Sequence, residues 1–374
     1  MSYLKLDHHR YSFEQLKTEP LETLLAGLNL YQQAVIEFSQ KWLRGQETFT
    51  VFSSGSTGTP KGILLTRTQM QTSARLTGQA LNLQAGDKSL VCLATQHIAG
   101  LMMLVRGFEL GLEMTVIEPS SNPLAQFSTS DHFDFMAVVP LQLQQMLTDS
   151  PDKQIILDRS KAILVGGAPV SEALLAQLQA IKGTIYHTYG MTETVTHIAL
   201  KQLNGPTAGD AFIPLPEVNL GLDSRGCLTI QSAVTNGETL ATNDLVTLNP
   251  DGSFQWLGRI DHVINSGGVK VQIETVEKAL EKLFYHYNEG VFAQRRFFVG
   301  PVADSRLGQT VVAVIEGLPF SYEVEGEMRH ALRDRLKKYE VPRHFYFVEK
   351  LLETPTGKID RLGNLERLRA VADA

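Results

Sequence analysis

Ten residues near the start of the chain limit what it can become more than any other stretch. Ser53-Ser54-Gly55-Ser56-Thr57-Gly58-Thr59-Pro60-Lys61-Gly62 directly follows TFTVF (48–52), and the apolar run Ile63-Leu64-Leu65 comes after it. Three glycines allow close backbone approach and positive φ, so several N–H groups can point at one anion. Five hydroxyls add donors, and Lys61 adds a charge that can reach a phosphate oxygen. A Gly/Ser tract is often a flexible linker, but a linker has no reason to sit between a strand and an apolar run. Nor is the tract a Walker A loop, in which the lysine precedes Ser or Thr at the head of a helix. Lys61 follows Pro60 and precedes Gly62.

A phosphate ligand must be held locally in this chain. Its 34 Lys and Arg against 40 Asp and Glu give a formal charge of −6, which provides no general attraction to nucleic acid or anionic membrane. At 374 residues the chain exceeds a single hydrophobic core, and two domains are expected. The two cysteines, Cys92 and Cys227, lie in apolar runs and form neither a disulfide framework nor a metal spacing. Buried thiols in a reducing compartment are the expectation. No signal-peptide pattern and no run long enough to span a bilayer is evident, which points to the cytoplasm.

Apolar β-rich runs at 48–52, 88–94, 114–117, 135–139 and 162–165 alternate with helical periodicity at 68–81, 141–147 and 171–181, an α/β pattern. After Pro206 the pattern becomes antiparallel: 226–232, 244–248 and 253–257 read as strands. Asn249-Pro250-Asp251-Gly252 is the hairpin signal between the last two. Ile273, Val276, Leu280 and Leu283 mark an amphipathic helix, followed by strands at 311–316 and 344–348 around a helix at 325–338. The expected division is a large domain over 1–258, a hinge at 259–262 and a small α+β domain over 263–374.

The 53–62 loop closely resembles the phosphate-loop signature of the adenylate-forming superfamily, which includes acyl-CoA synthetases, luciferases and peptide-synthetase adenylation domains. The other motifs follow in the family's order. Val165-Gly166-Gly167-Ala168-Pro169 resembles the segment that passes beside the adenine, although a glycine pair between strand and helix is also an ordinary turn. Tyr189-Gly190-Met191-Thr192-Glu193-Thr194 matches the next motif. Its tyrosine face suits a base, and its threonine hydroxyls suit phosphate. One carboxylate suits Mg²⁺, which takes hard oxygen ligands from a protein group plus substrate phosphates. Asp244 stands where the family aspartate accepts both ribose hydroxyls, with Asn243 in place of the usual glycine. Arg259 matches the arginine near ribose and phosphate, and Asp261 the hinge position. In Thr354-Pro355-Thr356-Gly357-Lys358-Ile359-Asp360-Arg361, Lys358 matches the lysine that bridges carboxylate and α-phosphate oxygens. His97 resembles the residue that gates the acyl pocket, while a histidine among apolar neighbours can equally be a satisfied core group.

The resemblance implies a large nucleotide-binding domain of layered α/β sheets with a β-rich subdomain, and a small mobile C-terminal lid. It implies ATP and Mg²⁺ as cofactors and CoA as co-substrate. An acid is adenylated by Lys358, Thr57, Glu193 and His97, and an external thiol then attacks. The nucleotide site is Ser53, Ser54, Gly55, Ser56, Thr57, Gly58, Lys61, Gly166, Gly167, Ala168, Tyr189, Gly190, Met191, Thr192, Asp244 and Arg259. Within the superfamily, the short segment ahead of the loop and Ser266-Gly267-Gly268 resemble the 2-succinylbenzoate–CoA ligases of menaquinone synthesis. Gly267 and Gly268 then face the phosphopantetheine tunnel, or simply form a turn. Alternatives are another aryl- or medium-chain acyl-CoA ligase, a carrier-protein adenylating enzyme, or a non-catalytic nucleotide-binding protein. Small-molecule partners are implied, with no nucleic acid and no membrane insertion.

Overall fold

In the computed structural model, which describes residues 2–52, 62–353 and 359–372, the alternating runs assemble into a nine-stranded mixed sheet. Strands Tyr3–Leu6, Glu113–Val116, Lys88–Val91, Phe135–Val138, Ala162–Val165 and Ile185–Gly190 lie side by side and parallel. Antiparallel strands close both edges, His9–Ser12 at one and His197–Gln202 followed by Ile213–Pro214 at the other. Phe135–Val138 and Ala162–Val165 are buried at every position, as a sheet covered on both faces requires. Two apolar clusters occupy those faces, one containing Trp42, Met70, Leu104 and Phe135, the other Leu90, Met136, Ile163 and Leu178.

The sheet's topology positions the motifs. Strand order reverses at Lys88–Val91, which has Glu113–Val116 on one side and Phe135–Val138 on the other. In doubly wound sheets ligands bind at the carboxyl ends of the strands near such a reversal. Three motif segments leave from those ends: 92–97 after Val91, 166–168 after Val165 and 191–194 after Gly190.

Most expected elements are present with shifted ends. The helix expected over 68–81 is Arg67–Ala80, capped by Thr66, whose hydroxyl accepts from the Gln69 amide. The helix expected over 171–181 stops at Leu178, with Ser171 as its cap. Four antiparallel strands form the β-rich unit: Asn219–Leu222, Cys227–Gln231, Thr239–Leu248 and Phe254–Arg259. The Asp-Gly turn forms as expected, with Gly252 at φ +84° and Asp251 Oδ1 accepting from the Ser253 amide at 3.0 Å. Both cysteines are buried, and burial pushes the Cys92 thiol up to about 12.

Beyond residue 263 a separate core begins. The sheet of Val269–Gln272, Val263–Ser266, Gly308–Glu316 and Phe297–Asp304 adds His344–Val348 parallel to Gly308–Glu316. Helices Ile273–His286 and Tyr322–Arg333 pack on it through Val276, Leu280, Leu283, Met328 and Leu332. No helix among the described residues is long and apolar enough to cross a membrane.

Candidate active site

Two of the expected motif segments fall largely outside the described residues: 53–61, with Ser53, Ser54, Gly55, Ser56, Thr57, Gly58 and Lys61, and 354–358, with Lys358. Their flanks are fixed. Phe52 pairs with Gly62 across the hairpin of Thr48–Phe52 and Gly62–Thr66, so 53–61 connects two adjacent strand ends. Glu353 forms an isolated antiparallel bridge with Ile359.

The 166–168 segment needs its glycines. A Cβ on Gly166 would lie 2.3 Å from Thr188 Oγ1, and Gly167 has φ +83°. His187, on the neighbouring strand, packs its ring 5.6 Å from that of Phe212. Burial, aided by Lys201, pushes its pKa down to about 4 while Ala168's backbone opposes this, so the ring is neutral at physiological pH.

At the end of the same strand the chain folds back sharply. A Cβ on Gly190 would lie 2.3 Å from the Thr196 carbonyl oxygen. Thr192–Thr194 forms a single 3₁₀ turn, with the Met191 amide donating to Thr194 Oγ1 at 3.0 Å. Val195 then adopts φ +65°, ψ −63°, and the Thr196 amide donates to the Thr194 carbonyl at 2.7 Å. This is a γ-turn of the rare, strained hand, held by a fully buried β-branched residue. It leaves Glu193 exposed at the turn. Among the described residues no cluster of three or more His, Cys, Asp or Glu forms a metal cage. A single exposed carboxylate suits Mg²⁺, which usually keeps waters and phosphate oxygens as its other ligands.

Asp244 is the most tightly organised of the expected residues. The residue is 7% exposed. Tyr189 Oη donates to Oδ2 at 2.6 Å and Trp256 Nε1 donates to Oδ1 at 3.1 Å. The Tyr189 ring meets Phe254 edge-on at 5.1 Å, and burial first, then Asp244, holds its hydroxyl well above its ordinary pKa. The Asp244 amide donates to Thr242 Oγ1, which itself donates to the Leu228 carbonyl. Arg225 donates to the Thr242 carbonyl at 2.7 Å and to Asn243 Oδ1 at 2.9 Å. Asn243 therefore replaces the usual glycine without strain: its backbone is not left-handed, and its amide oxygen supplies a contact glycine lacks.

Arg259 lies across the ladder from Asp244. Its guanidinium forms a two-pronged pair with Asp261 at 2.8 and 2.7 Å, which raises the arginine's pKa and holds the Asp261 carboxyl below its usual range. Gly267 and Gly268, at φ +59° and +81°, are the two central residues of the hairpin joining Val263–Ser266 to Val269–Gln272. Positive φ at both positions is the type I′ geometry, so the turn role is sufficient reason for both glycines. His97 is exposed at the start of helix Ile98–Leu110, where its backbone carbonyl accepts from Leu101.

Sequence reasoning overlooked the other charged group here. Arg106, on the helix that begins after His97, is 2% exposed and has no acidic partner within salt-bridge distance among the described residues. It donates to Thr196 Oγ1 at 2.9 Å, with longer contacts to Thr77 Oγ1 and Met103 Sδ at 3.4 and 3.8 Å. Thr196 Oγ1 also meets Ser73 Oγ at 3.0 Å, and Thr77 meets His197 Nε2 at 3.2 Å. Burial pulls Arg106 down to about 10 and, with Arg106 nearby, holds His197 well below its usual pKa. The available signal was one arginine within the apolar run IAGLMMLVRGF of that helix.

Residues 17–226, more than half of the chain, match the AMP-binding enzyme family. The chain belongs to that family. It is 31% identical to a probable 2-succinylbenzoate–CoA ligase of Mycobacterium tuberculosis, over 94% of this chain and 90% of that protein. A crystal structure described as an acyl-CoA synthetase (AMP-forming)/AMP-acid ligase II-like protein from Dyadobacter fermentans is 44% identical. The match has a TM-score of 0.64 and covers 96% of this chain and 99% of that one. The O-succinylbenzoate coenzyme A synthetase of Bacillus subtilis, in complex with ATP and magnesium ion, is 22% identical with TM-score 0.65, covering 83% of this chain and 68% of that one. At that identity the likeness shows the fold: the layered α/β architecture of adenylate-forming enzymes.

Proposed function

We propose that the chain is an AMP-forming acid–thiol ligase that activates an aromatic acid carrying a second carboxylate, 2-succinylbenzoate, and passes the acyl group to CoA. The observation that carries the diacid is Arg106. A buried cation without a counter-charge is costly, and an anionic substrate group placed beside Thr196 removes that cost. The named relatives from Mycobacterium and Bacillus support the same acid.

The chemistry follows from the positions of the groups. The substrate carboxylate attacks the α-phosphorus of ATP and pyrophosphate leaves, so negative charge grows on phosphoryl oxygens. Asp244 accepts from the ribose hydroxyls, and the 166–168 backbone lies along the base. Glu193 holds Mg²⁺, which supplies charge neutralisation at the phosphates. Lys61, Thr57 and the other residues of the 53–61 loop take the departing phosphates, and Lys358 bridges carboxylate and α-phosphate. Such catalysis is mainly positioning and electrostatic stabilisation. His97 stands at the acyl entrance. Residues 263–374 then turn about 259–262, where Asp261 releases Arg259, and the Gly267-Gly268 turn approaches the thiol arm of CoA.

The test is thioester formation from ATP, Mg²⁺ and CoA with an acid panel. Activity with 2-succinylbenzoate well above benzoate and octanoate is expected. A preference for a monoacid would refute the diacid reading. Absence of pyrophosphate release with every acid would refute the ligase itself.

A further inference from the structure

We infer that Trp256 and Tyr189 are positioning residues for Asp244, orienting its carboxylate so that one acceptor on each oxygen is left for a vicinal diol. The inference rests on the nucleotide reading above and deepens it. An ionised carboxylate offers about four acceptor sites, two per oxygen. Among the described residues the Asp244 carboxylate accepts two hydrogen bonds, Tyr189 Oη on Oδ2 and Trp256 Nε1 on Oδ1. The two donors come from different elements, Ile185–Gly190 and Phe254–Arg259, and approach different oxygens. Rotation of the carboxylate about its Cβ–Cγ bond would break both at once, so its plane is fixed before any ligand arrives. The backbone is anchored independently, through Thr242 to Leu228 and through Arg225 to Thr242 and Asn243.

What remains is one acceptor per oxygen on the carboxylate of a residue that is 7% exposed, a geometry suited to two adjacent hydroxyls. A buried polar site shaped for a hydroxyl rejects the analogue that lacks it, because the acceptor is left unpaired. Trp256 is 38% exposed, so the indole also forms a wall at the surface while its N–H points inward. Phenylalanine and leucine have no donor for this task, and the indole supplies one without adding a charge beside Asp244.

The experiment measures ATP–pyrophosphate exchange by the full chain with ATP, 2′-deoxy-ATP and 3′-deoxy-ATP. Trp256→Phe keeps an aromatic ring and removes the donor. It should raise KM for ATP roughly tenfold, with the loss in KM rather than kcat. The preference for ATP over one of the two deoxy analogues should fall by a similar factor. Tyr189→Phe should relax selectivity against the other analogue, because its donor serves the other oxygen. Equal losses for ATP and both analogues would mean that Trp256 only supports the fold, and an unchanged KM for ATP would equally overturn the inference. Asp244→Asn separates the two levels of the argument. If it retains full preference for ATP over both analogues, Asp244 is not the ribose acceptor and the nucleotide reading itself fails. If it loses that preference while Trp256→Phe does not, only the positioning role falls.

Discussion

Replacing Arg106 with methionine should separate stability from substrate recognition. Burial lowers the arginine to about 10, and a drop of that size corresponds to a cost of about 3 kcal/mol for keeping the charge at neutral pH. Against this stand one good hydrogen bond, to Thr196 at 2.9 Å, and two long contacts. Together these contribute about 2 kcal/mol. Methionine is unbranched and apolar and matches the neighbouring Met102 and Met103. Thr196 keeps Ser73 as a partner and Thr77 keeps His197, so no hydroxyl is abandoned. Exchanging a buried charge for a well-packed apolar side chain is often neutral or stabilising, so Arg106→Met should melt within a few degrees of the parent. Its effect on the diacid should be large: loss of a charged hydrogen bond to the second carboxylate costs about 1.5–3 kcal/mol, roughly a 10- to 150-fold rise in KM for 2-succinylbenzoate. KM for ATP should hold, and benzoate should be used no worse than before. Calorimetry and thioester formation read the two effects separately. A large fall in melting temperature with equal losses for mono- and diacids would refute the reasoning and make Arg106 a structural residue.

Four further outcomes are expected. Gly166→Ala places a methyl 2.3 Å from Thr188 Oγ1 and should cost about 1–3 kcal/mol in urea unfolding, while Gly166→Ala combined with Thr188→Ala should recover much of it. His187 binds its proton less tightly when folded than when unfolded. The unfolded chain therefore holds the extra proton between pH 6.5 and about 4, and stability falls as pH drops through that window by at most about 3 kcal/mol. His187→Asn should flatten that part of a urea-midpoint profile. Glu193→Gln should raise the Mg²⁺ concentration needed for half-maximal pyrophosphate release about tenfold, with the fold intact by circular dichroism. Lys358→Ala should nearly abolish adenylate formation yet still convert a pre-made acyl-adenylate with CoA, and equal loss in both half-reactions would remove its assignment to the first.

The strands and helices that carry strong periodicity were legible because burial on a sheet or helix face imposes it: Phe135–Val138 and Ala162–Val165 are continuous apolar runs buried at every position. The elements not legible were those with weak or mixed patterns. Tyr3–Leu6 is only four residues long, and its partner His9–Ser12 is polar and largely exposed. Ile185–Gly190 and His197–Gln202 were hidden behind a motif read for its chemistry. For the site, a motif shows which residue types are present but not how they are paired. Asp244 was identified from its neighbours in sequence, yet Trp256 reaches it only because strands Thr239–Leu248 and Phe254–Arg259 pair with a bulge between Leu245 and Val246. Arg106 is ninety residues from Thr196, and only the packing of helix Ile98–Leu110 against the sheet brings them to 2.9 Å. Asn243 departs from the glycine of the family motif, but its backbone does not require glycine and Arg225 accounts for the amide.

One short segment links the two ends of the proposed site. Glu193 stands in the 3₁₀ turn, and Thr196, which receives the Arg106 guanidinium, stands three residues later. Between them Val195 is held at φ +65°, a conformation a β-branched residue adopts only where its surroundings fix it. Those surroundings are identifiable. Val195 is fully buried, Thr194 Oγ1 donates to the Thr196 carbonyl at 2.7 Å, and Gly190 leaves no gap beneath that carbonyl. The turn therefore cannot relax at Glu193 without moving Thr196, nor at Thr196 without moving Glu193. A site that must align a carboxylate of the acid with a phosphorus of the nucleotide needs its metal-facing and acid-facing groups at a fixed separation. A strained turn enclosed in a packed core holds that separation fixed.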